Sequence, residues 1–148
     1  MVVQTLERTK ILEDVENFVC SQNSTILDNR KWFHDDTLDV YLRKGCYVFH
    51  IDDSACMCSV LAIANITVAQ ADRRTGVFKQ LLRTLRDGIL LANKLELSFQ
   101  YDAIYVENIC NEDLAAYLTK IGFSVQKTQS NLDIKSMYLL VKDFGRIV

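Results

Sequence analysis

Proline is absent from this chain of 148 residues, and tryptophan occurs only once. Without proline, the Pro-rich linkers that often separate domains are absent as well. No apolar run reaches the roughly 20 residues that a membrane-spanning helix requires. The 17 basic and 19 acidic side chains nearly balance, giving a net charge of −2. This balance disfavours broad nucleic-acid binding but leaves local basic patches open.

The length and composition favour one domain over residues 1–148. A chain of this size with 49% hydrophobic residues can bury one sizeable core, whereas two ordinary domains would need more residues. The five cysteines are odd in number and scattered, and no signal peptide precedes them, which favours reduced thiols in the cytoplasm. The Cys56-x-Cys58 pair has no second ligand pair nearby, so we do not expect a zinc site.

The first half of the chain predicts helices followed by strands. Val2 to Leu6 fits a short strand, and Glu7 to Gln22 places five apolar residues on one helical face: Ile11, Leu12, Val15, Phe18 and Val19. Asn23 to Gly45 is ambiguous, because its first half favours a helix whereas Thr37 to Leu42 fits either a helix or a strand.

Two β-rich runs follow around the turn Asp52-Asp53-Ser54. Cys46 to Ile51 and Ala55 to Ala69 are predicted to be antiparallel strands, and the second run divides at Ser59 or at Asn65. The remaining predicted elements are a helix, a strand, a second helix ended by Gly122, and two closing strands about the turn Ser130-Asn131: Gly76 to Asn93, Ala103 to Val106, Glu112 to Ile121, Phe123 to Lys127 and Met137 to Val141. This order predicts a three-layer α/β fold, a mixed sheet with helices on both faces.

The stretch Ile66 to Phe78 joins a strand to a helix through the basic turn Arg73-Arg74-Thr75-Gly76-Val77-Phe78. The first N–H groups of a helix lack internal partners and bind anions readily. Gly76 lets a ligand approach the backbone, Thr75 is a candidate helix cap, and the arginines supply charge-assisted bonds. The turn therefore predicts a phosphate site, although an ordinary helix start with two solvated arginines is the alternative.

The stretch Tyr105 to Phe123 repeats the order of strand, turn and helix, with Asn111 before the helix and Gly122-Phe123 after it. Together the two stretches resemble the GCN5-related N-acetyltransferase (GNAT) family. The family signature is Gln/Arg-x-x-Gly-x-Gly/Ala, followed later by an Asn…Gly-Phe helix. Phe78 departs from the Gly or Ala of that signature. In its small size and its absence of proline, the chain also resembles divergent phage-encoded members of the family.

The resemblance implies that acetyl-coenzyme A is the cofactor. In the family, the strand before the turn diverges from its neighbour, and its unpaired backbone groups bond the pantetheine arm. Val68 and Ala69 match that strand end, and a fully paired central strand is the alternative. The pyrophosphate would lie on the turn from Arg73 to Phe78, and Asn111 matches the family asparagine but is also a plain N-cap candidate.

The residues for proton transfer are less evident. The position of the family tyrosine that protonates the coenzyme thiolate holds Leu118, and Tyr117 stands one residue earlier, turned by about 100° on a helix. Tyr117 is a candidate general acid, or it packs in the core. No Asp or Glu lies between Ser54 and Gln70, where several members carry their base. His50, Glu107 and Asp53 are the candidate bases, and His50 is equally suited to a structural role.

The resemblance implies an acyltransferase that moves an acetyl group from acetyl-coenzyme A to an amine by direct attack in a ternary complex. We expect the acceptor to be a small-molecule or protein amine, with no strong nucleic-acid signal and no membrane partner, and a homodimer is left open. Because Leu118 stands at the position of the family tyrosine and no carboxylate lies between Ser54 and Gln70, two alternatives remain. One is a GNAT-fold structural or interaction protein without catalysis, and the other is a GNAT-like enzyme that modifies a nucleobase.

Overall fold

The computed structural model describes residues 9–21, 29–70, 73, 75–126 and 135–148. In these ranges three α-helices and six strands follow one another, and a 3₁₀ helix follows the last strand: α1 (Lys10–Val19), β1 (Arg30–His34), β2 (Leu38–Ile51), β3 (Ser54–Val68), α2 (Val77–Lys94), β4 (Ala103–Ile109), α3 (Glu112–Lys120), β5 (Ser124–Val125), β6 (Lys135–Leu140) and the 3₁₀ helix (Val141–Arg146).

The six described strands form one mixed sheet in the order β1-β2-β3-β4-β6-β5. All neighbours are antiparallel except β3 and β4, which run parallel and are joined by the crossover helix α2. β2 and β3 form a long hairpin that turns at Asp52 and Asp53, with φ angles of 51° and 65°. Positive φ at both central residues is the geometry of a type I′ turn, whose twist suits paired strands.

Alternate strand residues divide the core into two clusters, one on each face of the sheet. The first cluster joins strand residues such as Leu42, Ile63 and Val106 to buried residues of all three helices. The second cluster contains strand residues only, among them Phe49, Tyr105 and Tyr138. In the described ranges the helices therefore cover the face of the first cluster.

The prediction of a mixed α/β sheet flanked by helices is confirmed. Among the described residues, however, the buried residues of all three helices belong to the first cluster and none to the second, so the helical layer predicted on the other face is not seen there. The helix expected in the first half of 23–45 is wrong for Arg30–His34, which pair with β2 as an edge of the described sheet. The segment 37–42 joins β2 from Leu38 onward, and β3 runs unbroken from Ser54 to Val68. The predicted strand at 2–6 and the turn at 130–131 lie outside the described residues.

The ends of α3 follow from its sequence, as predicted. Asn111 accepts hydrogen bonds from the N–H groups of Asp113 and Leu114 through its side chain, which makes it the N-cap. Gly122 has φ of 99°, and Phe123 N–H donates to the Leu118 carbonyl at 2.9 Å. This is the bonding of a Schellman cap, where glycine avoids the strain of a left-handed residue. None of the described helices combines the length and the apolar character needed to span a membrane.

Candidate functional site

The parallel strands β3 and β4 pair only over part of their length. Val60–Ile63 pair with Ala103–Val106, and the last five residues of β3 continue without a β4 partner. In the ladder between β2 and β3, Leu42 pairs with Ile63 and Tyr41 with Asn65, so Ala64 is an extra residue of β3 and forms a β-bulge. Such a bulge bends a strand. The predicted divergence of this strand from its neighbour is therefore confirmed.

β4 carries a bulge at the same level of the sheet. Its pairing with β6 shifts between Val106 and Ile109, and Asn108 has a positive φ of 52°. Both strands thus change direction just beyond their last shared pair. We name the resulting gap the cleft; it lies between residues 64–68 of β3 and residues 107–109 of β4.

The register shows which backbone groups of β3 face the cleft. Leu38 pairs with Val68, but the N–H and the carbonyl of Leu38 both bond to Asp35. Leu38 and Val68 are therefore a non-hydrogen-bonded antiparallel pair, and the N–H and carbonyl of Val68 point away from β2, into the cleft. Strand alternation gives Ile66 the same direction. An exposed strand edge of this kind is a template for an added strand-like ligand.

Ala69 does not share that direction. Its N–H donates to the Thr37 carbonyl at 2.8 Å, on the β2 side of the hairpin. Of the two residues expected to contact a pantetheine arm, Val68 therefore faces the cleft and Ala69 does not. The second cleft-facing residue is Ile66, which the sequence did not single out because its direction depends on the bulge at Ala64.

The turn before α2 lies at the end of the same strand. Gly76 is the N-cap residue of α2, with φ of 87°, and its carbonyl accepts the bond from Gln80 N–H. The N–H groups of Val77 and the next two residues precede that bond, as at any helix start. Thr75 stands before the cap, so the predicted capping role falls to Gly76 instead. Apart from its two chain neighbours, no described residue has an atom within 4 Å of a Cβ built on Gly76, which leaves room for a ligand against the backbone.

Arg73 reaches back from this turn to the cleft. Its Nε donates to the Val68 carbonyl at 3.2 Å, and its side chain is exposed. Among the described residues of this turn, the Arg73 guanidinium thus lies between the strand edge and the start of α2. Arg74, the other predicted phosphate ligand, lies outside the described residues.

Phe78 and Tyr117 connect the helices that flank the cleft. Their rings meet edge to face with centroids 6.1 Å apart, and both side chains pack against the first cluster while remaining half-buried. Leu118 is completely buried in that cluster. Tyr117 therefore stays at the surface of the core while Leu118 fills its interior, and Phe78 is drawn toward α3 rather than standing free in the turn.

Glu107 begins the cleft on the side of β4. Tyr47 donates its hydroxyl to Oε1 at 2.8 Å, and Arg43 donates to Oε2 in an ion pair. Burial, followed by the bond to Glu107, raises the pKa of Tyr47 to about 12, so its hydroxyl stays protonated at neutral pH. Tyr47 and the neighbouring Tyr105 belong to the second cluster, which places Glu107 on the face opposite Tyr117.

The other candidate bases lie elsewhere. His50 pairs with Ala55 at the start of β3, thirteen residues before Val68, or about 40 Å along a strand. Asp53 is in the adjoining hairpin turn. The expectation that His50 and Asp53 lie near the cofactor site is therefore wrong, because β3 is one long strand. Cys110 is exposed, and Asn111 uses its side-chain oxygen as the helix cap.

These residues fit a phosphorylated, strand-like ligand such as coenzyme A. The cleft offers backbone donors and acceptors on Ile66 and Val68, and α2 offers amide groups beside Gly76. A cation, Arg73, lies between the two. Carboxylate and phenol groups flank the cleft from opposite faces, as an acyl transfer with two proton movements would need.

Comparison with solved structures gives the fold. A tyrosine-to-phenylalanine mutant of the toxin AtaT aligns with a TM-score of 0.55 and 11% identity, over 74% of this chain and 61% of AtaT. This chain has the GNAT fold. AtaT complexed with acetyl-methionyl-tRNAfMet aligns with a TM-score of 0.55 and 11% identity, over 74% of this chain and 65% of that one. A tyrosine-to-phenylalanine mutant of KacT aligns at 0.52 and 14%, over 79% and 72%.

The likeness lies in structure alone. No protein-family model matches the sequence, and no curated protein matches it. The chain spans 61% of the length of the AtaT chain that it matches. The fold predicted from two short motifs is thus confirmed.

Proposed function

We propose that this protein is an N-acetyltransferase that binds acetyl-coenzyme A in the cleft. The observation that carries the proposal is the direction of the Val68 and Ile66 backbone groups into the cleft, close in sequence to the Gly76 start of α2. A pantetheine arm has amide groups that suit such an edge, and a pyrophosphate suits a helix N-terminus with an adjacent arginine.

The two candidate proton-transfer groups lie on opposite faces of the sheet. When bound, the coenzyme supplies an acetyl thioester, which an uncharged amine attacks to give an amide and a thiolate. Tyr117, at the surface of the helical layer, would donate a proton to that thiolate. Glu107, on the other face, would accept the proton of the amine directly or through water. Arg43 and Tyr47 hold the Glu107 carboxylate in place.

The face that bears Glu107 also suggests a class of acceptor. Trp32 is 56% exposed and packs on Tyr41 with ring centroids 4.9 Å apart. Arg43 lies over the same Tyr41 ring and reaches Glu107. An exposed aromatic ring with a guanidinium nearby stacks well on unpaired bases. AtaT was solved in complex with acetyl-methionyl-tRNAfMet, so an aminoacyl-tRNA is the first acceptor to test, although the balanced charge of the chain disfavours broad nucleic-acid binding.

Acetyl transfer can be measured as thiol release from acetyl-coenzyme A with a panel of aminoacyl-tRNA, peptides, polyamines and nucleosides. We expect turnover with at least one amine. Tyr117→Phe and Glu107→Gln should each lower kcat by about a hundredfold, with little change in coenzyme affinity. Tyr138→Phe, whose hydroxyl lies 3.5 Å from the His50 carbonyl, and Glu112→Gln are matched controls away from the proton path. Unchanged rates would assign Tyr117 to its contact with Phe78, and Glu107 to its pair with Arg43.

A scaffold that binds coenzyme without turnover is the second candidate. It is favoured by Leu118 at the position of the family tyrosine and by the two donors that already occupy the Glu107 carboxylate. Binding of acetyl-coenzyme A with no transfer to any acceptor of the panel would support the scaffold. Failure to bind acetyl-coenzyme A at all would rule out both candidates.

A further inference from the structure

The Val68 carbonyl already has a partner within the chain. It points into the cleft, where a pantetheine N–H would bond, yet Arg73 Nε donates to it at 3.2 Å. The same guanidinium belongs to the turn that precedes Gly76, where a pyrophosphate would bind. Arg73 therefore has two alternative partners, one at each end of the expected ligand.

We propose that Arg73 is a specificity-determining residue. It makes the binding of a pantetheine arm to the Val68 carbonyl depend on a pyrophosphate at the start of α2. In the free protein the guanidinium occupies the Val68 carbonyl. A pyrophosphate at the start of α2 draws the guanidinium away and frees that carbonyl. Coenzyme A can supply both groups, whereas pantetheine derivatives without the pyrophosphate must compete with Arg73. The inference rests on the proposed coenzyme site.

The exchange is favourable for simple electrostatic reasons. A guanidinium bonded to a neutral carbonyl gains less than one bonded to a phosphate, because the phosphate carries the opposite charge and can accept two parallel N–H bonds from the planar guanidinium. The Arg73 side chain is exposed, so its movement does not uncover a buried surface among the described residues. The Val68 carbonyl faces the cleft rather than β2, so releasing it breaks no bond of the β2–β3 ladder.

The prediction is a pair of opposite effects in one variant. Binding of coenzyme A and of pantetheine would be measured by calorimetry and by ligand-observed NMR for the unmodified chain and for Arg73→Ala. Coenzyme A should bind the variant at least about tenfold more weakly, since a charged bond to phosphate is lost. Pantetheine should bind it about two- to tenfold more tightly, because a competing hydrogen bond is removed.

Lys79→Ala is the matched control, because Lys79 is an exposed cation in the first turn of α2. It should leave pantetheine binding unchanged, and thermal unfolding should show that both variants fold. If Arg73→Ala weakens coenzyme A but leaves pantetheine unchanged or weaker, Arg73 is a phosphate ligand only and the inference is wrong. If neither ligand binds any of the proteins, the proposed function fails and the inference falls with it.

Discussion

Gly76 serves two purposes at the start of α2. Its φ of 87° lies in the left-handed region, which other residues adopt at a cost of about 1–2 kcal/mol. The space around its missing side chain is also open. A substitution therefore adds backbone strain and a side chain at once, and a single variant cannot separate the two effects.

A pair of variants separates them. Gly76→Ala carries the strain with a methyl group, whereas Gly76→Glu carries the same strain with a carboxylate beside the proposed pyrophosphate. We expect similar losses of unfolding free energy, about 1–2 kcal/mol in each. Coenzyme A affinity should fall modestly in the alanine variant and beyond detection in the glutamate variant. Equal affinities in the two variants, measured by calorimetry, would show that the pyrophosphate does not bind at this turn.

At the level of single residues, the sequence predicted the conformational role of a residue better than the direction in which its backbone groups or side chain point. Gly76, Gly122 and Asn111 were identifiable because glycine and asparagine have narrow conformational roles. The direction of Ala69 was not predictable, because one bulge at Ala64 reverses which residues face β2. Likewise, the tyrosine shifted by one position could be counted along the helix, but its contact with Phe78 depends on how two helices pack.

At the level of elements, α1 is fastened to β2 through a buried lysine. Lys44 is only 6% exposed, and its Nζ bonds to the carbonyl and the hydroxyl of Ser21 at 3.2 and 2.9 Å. It also lies 4.8 Å from the centroid of the Phe18 ring. Burial lowers the pKa of Lys44 from its usual 10.5 to about 8, although the nearby Cys20 opposes that shift.

This shift makes stability rise with pH over a defined window. The unfolded chain keeps the Lys44 proton up to about pH 10.5, whereas the folded chain loses it near pH 8. The unfolded state therefore binds more protons between these values, and the free energy of unfolding increases as pH rises. Burial also raises the pKa of Cys20, which has the opposite effect, so the measurement belongs in a Cys20→Ala background.

In that background, urea unfolding should give about 1–2 kcal/mol more stability at pH 9.5 than at pH 8, since one pKa unit is about 1.4 kcal/mol. Adding Lys44→Met should remove this pH-dependent gain while keeping the apolar stem. The difference between the two proteins cancels other groups that titrate in the same window. The same slope in both would show that Lys44 keeps an ordinary pKa.

The elements that sequence patterns predicted best are those with a long, one-sided apolar face. α1 and α2 match the predicted helices to within a few residues. β1 was missed because Arg30–His34 buries only Phe33, so its apolar pattern is that of neither a core strand nor a helix. The length of β3 was also hidden, since Val60 to Ile63 are all buried instead of alternating with exposed residues.

At the scale of the molecule, the cleft interrupts an otherwise continuous sheet. Ligand binding that bridges residues 64–68 of β3 and the region beyond Val106 would restore hydrogen bonds across the gap. Because the ligand binds only the folded state, a concentration of 100 times Kd adds about 2.7 kcal/mol. For a chain of this size we expect coenzyme A to raise the Tm by about 5–10 °C. No shift at saturating coenzyme would contradict the proposed cleft.

Amide hydrogen exchange locates that gain within the sheet. Coenzyme A should slow exchange at the N–H groups of Ile66 and Val68, because both point into the cleft and gain a partner from the ligand. The N–H of Ala69 already donates to Thr37 on the β2 side, so its exchange should change far less. Two adjacent amides of one strand end thus provide signal and internal control. Equal slowing at Val68 and Ala69 would indicate general stabilisation, and slowing at neither would place the coenzyme outside the cleft.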